Sequence, residues 1–339
     1  MNELVVRSTD YHTAGEPFRI VADPPLRLPG GDVAERRVNA ADDAEVNRLR
    51  QLLCHEPRGH ADMYGGFIVP ADDDDANFGV LFWHKDGFST ACGHGTIALG
   101  AWALETGRVE PTATGLTDVV IDVPSGRVTA RVHHQDQLVT AVDFRNVASY
   151  VIADAVPVAT QRGEVIVTIS FGGAIYASVD AGALGLRVTP DHLGELVVLG
   201  RAIKEALAVS PYAQHQPDPR LSGIYGTIFF EDLGRDGAGN LHQRNVTVFA
   251  DGEVDRSPCG SGTCARLAVL DASGRLAAGQ GLTHDSIVGT RFTARVLDRL
   301  TVHGRDAVIP EVTGMAYKTG EHSFWVDPHD PLTPGFVLR

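Results

Sequence analysis

The stretch Cys92-Gly93-His94-Gly95-Thr96-Ile97-Ala98 decides the fold, because the chain contains it twice. Cys259-Gly260-Ser261-Gly262-Thr263-Cys264-Ala265 repeats its frame, C-G-x-G-T-x-A, 167 positions further on. The match continues without a gap to Gly107-Arg108-Val109 and Gly274-Arg275-Leu276, fifteen residues after each cysteine. One short match would carry little. Two matches in one register predict a duplicated half, with one cysteine in each.

The surroundings repeat too. Gly79-Val80-Leu81-Phe82-Trp83 reads as a buried strand and Lys85-Asp86-Gly87 as a turn. Cys92 follows, and residues 96–106 are small or apolar. A helix apolar nearly all round is buried, and Gly107 suits its C-terminal cap. In the second half, Asn245-Val246-Thr247-Val248-Phe249 is a strand and Asp251-Gly252 a turn. Cys259 then starts a second buried helix that Gly274 ends.

Working outward, residues 4–10 and 18–22 form a hairpin around the polar turn His12-Thr13-Ala14-Gly15-Glu16-Pro17. Residues 24–31 are a Pro- and Gly-rich loop. Val46, Leu49, Leu52 and Leu53 are spaced for a helix over 41–53, with Asp42 and Asp43 near its start, where the dipole favours acids. Gly66 to Pro70 is a strand. Asp72 to Asp75 is a solvated turn, since a calcium loop needs wider ligand spacing. Strands over 165–169 and 174–177 flank Phe171-Gly172-Gly173, and a helix over 190–208 has Pro190 in its first turn. From Val312 onward the chain is rich in strands and turns. The fold expected is α+β (α/β), in two pseudo-symmetric halves, each a mixed sheet or barrel around a buried helix. Residues 1–150 carry Cys92 and residues 151–314 carry Cys259. Residues 315–339 pack back on the first half.

Composition narrows the function. A hydrophobic share of 43% and a charged share of 21% are ordinary for a globular protein. The net charge of −14 argues against nucleic acid or an anionic membrane as partner. Met1-Asn2-Glu3-Leu4 begins no secretory signal, and no apolar run approaches the ~20 residues of a membrane helix. A cytoplasmic location is expected. There Cys54, Cys92, Cys259 and Cys264 are thiols. No C-x-x-C pair occurs, so no structural zinc site is expected.

Each Cys-Gly-x-Gly-Thr sits where a strand gives way to a helix. The free N–H groups of a first helical turn attract anions and stabilise a thiolate, so each cysteine is expected below the free thiol pKa of ~8.5. Glycines let a carboxylate reach those N–H groups. Two such helix ends facing one another grip one carboxylate and hold a base on each side of the adjacent carbon. That arrangement suits proton removal alpha to a carboxylate, with return on the opposite face. Asp255, four residues before Cys259, is a candidate acceptor for a substrate amine or a capping group. His94 is a candidate for the same pocket. Cys54 and Cys264, among helical apolar residues, are read as structural.

These residues resemble the proline racemase superfamily, which includes proline racemase, 4-hydroxyproline 2-epimerase and trans-3-hydroxyproline dehydratase. The resemblance rests on the 12–17 turn, Glu56-Pro57-Arg58-Gly59-His60, Cys92-Gly93-His94, Phe171-Gly172-Gly173, Asp255-Arg256-Ser257-Pro258-Cys259-Gly260 and the segment from Val312-Thr313-Gly314 to Gly335-Phe336. It implies two halves of the diaminopimelate-epimerase type, a homodimer, an amino-acid substrate, and neither cofactor nor metal. It assigns the two bases to Cys92 and Cys259 and the carboxylate to Gly93, His94, Gly260 and Ser261. Asp255 takes the ring nitrogen. Tyr64 and Phe249 stand where proline racemases place two phenylalanines against the pyrrolidine ring; the tyrosine hints at a hydroxylated ring. The resemblance implies a racemase or epimerase of proline or hydroxyproline. Dehydratases typically carry Thr at the second position, where this chain has Cys259. Residues 62–65 and 87–90 nevertheless resemble the dehydratase branch, which leaves trans-3-hydroxyproline dehydration as the alternative. A protein that binds an amino acid without chemistry is the third reading.

Overall fold

The computed structural model describes residues 4–136 and 138–338. The first part of the chain forms β1 (Leu4–Thr13), β2 (Glu16–Val21), α1 (Val33–Asp42), α2 (Ala44–Cys54), β3 (Gly65–Val69), β4 (Phe78–His84), β5 (Gly87–Phe88), α3 (Gly93–Glu105), β6 (Leu116–Val123), β7 (Gly126–Gln135) and β8 (Leu138–Arg145). Then come β9 (Ser149–Thr160), β10 (Gly163–Phe171), β11 (Ile175–Asp180), α4 (Leu193–Ala208), β12 (Ile224–Arg235), β13 (Leu241–Phe249), β14 (Glu253–Val254) and α5 (Gly260–Ala272). The last elements are β15 (Leu282–Ser286), β16 (Arg291–Val302), β17 (Arg305–Gly314) and β18 (Ala316–Val326).

Strand pairing repeats step for step. β1 pairs antiparallel with β2, β2 parallel with β3, β3 antiparallel with β4, and β4 parallel with β6. β10, β11, β12, β13 and β15 follow the same sequence of directions. β6, β7 and β8 are matched by β15, β16 and β17. The second ring closes where β17 meets β9 and β9 meets β10. In the first, β18 takes the place of β9 and pairs with β1 along its whole length. β17 also pairs with β8, so it borders both rings. The expected α+β fold of two similar halves is what the chain adopts.

Each parallel step needs a crossover; at two of the four, β4–β6 and β13–β15, the crossover helix is almost wholly buried, whereas α1, α2 and α4 at the other two are only partly buried. α3 joins β4 to β6, and α5 joins β13 to β15. Every residue of α3 from Gly93 to Ala103 is buried, as is nearly all of α5. Burying Ile97, Leu99 or Trp102 stabilises by roughly 1.5–3 kcal/mol each. Gly107 and Gly274, both at φ +68, end the two helices as expected. The helix expected over 41–53 is α2, capped by Asp43, whose side chain accepts from the Glu45 and Val46 N–H groups. α1 was not expected, because only Val33, Ala34 and Ala40 of it are buried and its apolar pattern is thin. The helix expected from 190 starts as a single 3₁₀ turn, Pro190–His192, before α4.

Candidate active site

The N-termini of α3 and α5 abut. A Cβ on Gly93 would lie 2.6 Å from Gly260 Cα and 2.7 Å from Ser261 N; one on Gly260 would lie 2.6 Å from Gly93 Cα. No side chain fits there. The two glycines therefore let the two helix ends approach closely, each directly preceded by its cysteine, Cys92 or Cys259.

The cysteines are held differently. Cys92 has extended backbone, φ −155° and ψ 102°, and caps α3: its Sγ accepts from Gly95 N at 3.2 Å. The His94 ring lies 3.5 Å from the same sulfur. Cys259 has φ +61° and ψ 106°, a left-handed conformation that costs a non-glycine residue of order 1–3 kcal/mol. A local network holds it. Cys259 N donates to Ser257 Oγ at 3.0 Å, and Ser257 donates through N and Oγ to Asp255 Oδ1 at 2.8 and 2.7 Å. Pro258 O accepts from Asn245 Nδ2 at 2.8 Å and Thr263 Oγ1 at 3.1 Å.

All nine side chains or backbone positions singled out in the sequence come together here. Tyr64 packs edge-on to His94 at 4.9 Å and lies 5.9 Å from Phe249. Ser261 Oγ is 2.7 Å from Tyr176 OH, which also lies 3.9 Å from Cys259 Sγ. Asp255 is 3% exposed. Cys54 and Cys264 are buried: Cys54 Sγ donates to His84 O at 3.7 Å, and Cys264 lies within α5.

One expectation is reversed. Burial pushes both reactive-position thiols well above the ordinary range. For Cys92 the Gly95 N–H opposes this, and the Asp255 charge adds to it. For Cys259 the Asp255 carboxylate comes second to burial. Two helix ends do not outweigh a closed apolar wall. Burial likewise raises Asp255 to about 6, against the hydrogen bonds from Ser257, and lowers His94 to about 3, so that imidazole is neutral at pH 7.

Further neighbours complete the site; Tyr225 carries no sequence signal, whereas Ser89 and Glu16 lie in the 87–90 and 12–17 stretches noted in the sequence. Tyr225 stacks on Phe249 at 5.5 Å with ring planes 6° apart, and Tyr225 and Ser89 both reach the Tyr64 hydroxyl. Glu16, fully buried, accepts from Arg256 N at 2.7 Å, and Arg256 pairs with Asp62 at 2.6 Å, which ties the 12–17 turn to the cysteine loop. Ser257 could have been found, since it stands inside the second cysteine motif. The Glu56–His60 stretch serves elsewhere: Glu56 pairs with Phe336, and Arg58 O accepts from Arg19. Among the described residues one group could share a cation, His84, Asp86 and Glu253, with ligand atoms within 4.8 Å of one another; Lys85 Nζ, 3.9 Å from Asp86, already brings positive charge there.

Two half-barrels, each opening a buried helix onto a shared space with a thiol at its mouth, define an α+β epimerase-like class. The comparisons with known proteins agree. A bacterial PhzF-family protein, from Bacillus anthracis, shares the fold at TM-score 0.57 and 12% identity. A hydroxyproline epimerase from Agrobacterium vitis, solved with bound trans-4-OH-L-proline, superposes at TM-score 0.91 with 32% identity, over 98% of this chain and 96% of its own. The family model described as proline racemase matches residues 8–337. The chain belongs to the proline racemase family, an enzyme family of the isomerase class expected from the sequence. Among its relatives, a trans-3-hydroxy-L-proline dehydratase of Bacillus cereus is 42% identical, over 98% of both chains. Another of Colwellia psychrerythraea is 40% identical, over 99% of this chain and 93% of its own. A 3-hydroxyproline 2-epimerase of Burkholderia multivorans is 43% identical, over 98% of both. Among the described residues no helix is long and apolar enough to cross a membrane.

Proposed function

We propose that this chain inverts the alpha carbon of a free hydroxyproline, using Cys92 and Cys259 as two bases. The observation that supports this is the close approach of Gly93 to Gly260, which brings together the two helix starts that carry Cys92 and Cys259. A Cys92 thiolate takes the Cα proton and becomes a thiol. The electron pair moves toward the carboxylate, held by the N–H groups at Gly93, His94, Gly260 and Ser261, where charge develops. The Cys259 thiol gives its proton to the opposite face and becomes the thiolate. Asp255 accepts from the ring ammonium, and that cation offsets the charge of the ionised thiol in a buried site. Tyr64 and Phe249 pack on the ring. The same reading divides the chain into residues 1–150 with 315–339, and 151–314, and takes it as a cytoplasmic homodimer, which light scattering in solution tests.

A second reading is dehydration of trans-3-hydroxy-L-proline. Its support is the naming of relatives at 40% and 42% identity as dehydratases of that amino acid. Here Cys92 takes the Cα proton, the Cα–C3 double bond forms, and the C3 hydroxyl leaves as water after taking up a proton. One experiment separates the two. The protein is incubated in D2O with proline, trans-4-hydroxyproline and trans-3-hydroxyproline while Cα exchange, chirality and pyrroline formation are followed. Exchange with inversion and constant total amino acid supports the first reading. Pyrroline formation replaces it with the second, and no exchange on any substrate sinks both.

A further inference from the structure

The peptide between Pro258 and Cys259 is pinned at both ends. Its N–H end donates to Ser257 Oγ at 3.0 Å. Its carbonyl end, Pro258 O, accepts from Asn245 Nδ2 at 2.8 Å and from Thr263 Oγ1 at 3.1 Å. Behind these two donors stands one imidazole. His284 Nδ1 lies 2.8 Å from Thr263 Oγ1 and 3.3 Å from Asn245 Nδ2. The three side chains come from β13, the first turn of α5 and β15, and all belong to fully buried residues. Burial holds His284 down to about 3, so the ring is neutral at pH 7. Among the described residues nothing bonds its Nε2, so the bonding of the ring is all spent on this carbonyl clamp.

The first half has the same threonine and uses it differently. Thr96 Oγ1 donates to Cys92 O at 2.8 Å, an ordinary bond back along one helix turn. Thr263, at the same place in the repeated frame, reaches one residue further back, to Pro258 O. The difference follows the backbone. Cys92 is extended, whereas Cys259 has φ +61°, which a non-glycine residue keeps only where its surroundings over-determine it. The plane of the 258–259 peptide sets φ of Cys259, and with it the direction in which the Cα–Cβ bond carries the sulfur. A carbonyl held by two donors, which are themselves held by a buried imidazole, cannot turn without stranding polar groups in the interior.

We infer that His284, with Asn245 and Thr263, is a positioning residue that locks the 258–259 peptide plane and so aims the Cys259 sulfur at the alpha carbon. This rests on the reading of Cys259 as one of two bases. The test uses Thr263→Val and His284→Leu, which remove the polar link, beside Thr263→Ser and His284→Asn, which keep a hydroxyl or an amide there. Two quantities are read. One is kcat and KM for Cα inversion of hydroxyproline. The other is alkylation of each cysteine separately by iodoacetamide, followed by peptide mass spectrometry without substrate. Thr263→Val and His284→Leu are expected to lower kcat about 10–100-fold, the cost of a displaced reacting group, with KM changed less than about threefold. Alkylation of Cys259 should rise about fivefold or more as its loop loosens, while Cys92 stays within about twofold of wild type. The two conservative variants should recover most of both. Cys92 is the internal control for folding. If Thr263→Val and His284→Leu expose both cysteines alike, these residues only hold the barrel together and the inference is overturned. It is equally overturned if kcat and Cys259 alkylation both stay within about twofold of wild type. A wild type that inverts neither hydroxyproline nor proline overturns the functional reading instead; the alkylation arm needs no substrate and then decides alone whether the clamp sets Cys259.

Discussion

The mouths of the two barrels share a topology and differ in almost every polar detail. At the α3 mouth the sulfur itself caps the helix, the backbone is extended, and a neutral imidazole stands beside the thiol. At the α5 mouth the sulfur caps nothing, the backbone is left-handed, and a carboxylate hung on Ser257 stands beside the thiol. The difference teaches where symmetry ends. Packing of helix into barrel is the same problem twice and has the same answer twice. The proposed substrate, with one ammonium and one ring edge, is not symmetric, and the polar differences between the two mouths match that.

The largest effect should come from the sulfurs. Cys92→Ser and Cys259→Ser are each expected to lower inversion by about 10²–10⁴, the range of a well-placed acid or base, measured by polarimetry. If Cys259→Ser keeps Cα exchange and pyrroline release while Cys92→Ser loses both, the halves differ in kind and not only in detail. Asp255→Asn should cost about ten- to a hundredfold in kcat/KM, the loss of a charge-assisted hydrogen bond. Burial raises the folded-state pKa of Asp255 to about 6, so the carboxylate is lost as pH falls through 6. The wild-type kcat/KM profile should drop below that pH, and the variant should lack this limb. For stability the same sign runs the other way: a raised carboxyl pKa favours the folded protein at pH below the unfolded value, and that gain is gone above about 6.

Smaller effects sharpen the comparison further. Gly260→Ala puts a methyl 2.6 Å from Gly93 Cα and should destabilise by about 1–3 kcal/mol, as overpacking does; a thermal melt reads it. Gly93→Ala should match it, since this contact is shared equally. Ser257→Ala removes the acceptor for Cys259 N and should cost about 1 kcal/mol; its counterpart two residues before Cys92, Thr90, donates to Gly173 O instead. The least difference is expected between the two thiols in the absence of substrate. Burial raises both, so iodoacetamide modification of each should climb about tenfold per pH unit from 7 to 9 without a plateau. A plateau near neutrality in either one would show that its helix end prevails over burial.

Much of this was legible in the residues because it is local. A helix start needs glycines and a cap within a few positions, so the two cysteine frames, their helices and the glycines that end them stand out in the sequence. The partners that complete the site do not. Tyr176 and Tyr225 reach it from strands of the second half, and nothing near them in sequence marks their direction. α1 is hidden because it buries so little. The thiols were misjudged for a related reason: a helix end is visible in sequence, whereas the depth of the wall around it belongs to the whole fold.

One pairing described above sets the order in which the molecule can be completed. β1 is bordered on one side by β2, a few residues away, and on the other by β18, with Leu4 opposite Val326. On the ribosome the second half, β9 to β17, therefore has all its strands before the first half does. The part of the protein made first waits for the last segment to emerge, and meanwhile leaves a strand edge and an apolar face open. Such long-range closure is slow, and an unpaired edge invites the wrong partner. Chains that stop near residue 314 should thus fail at their beginning, and a nascent first half is the species most in need of a chaperone.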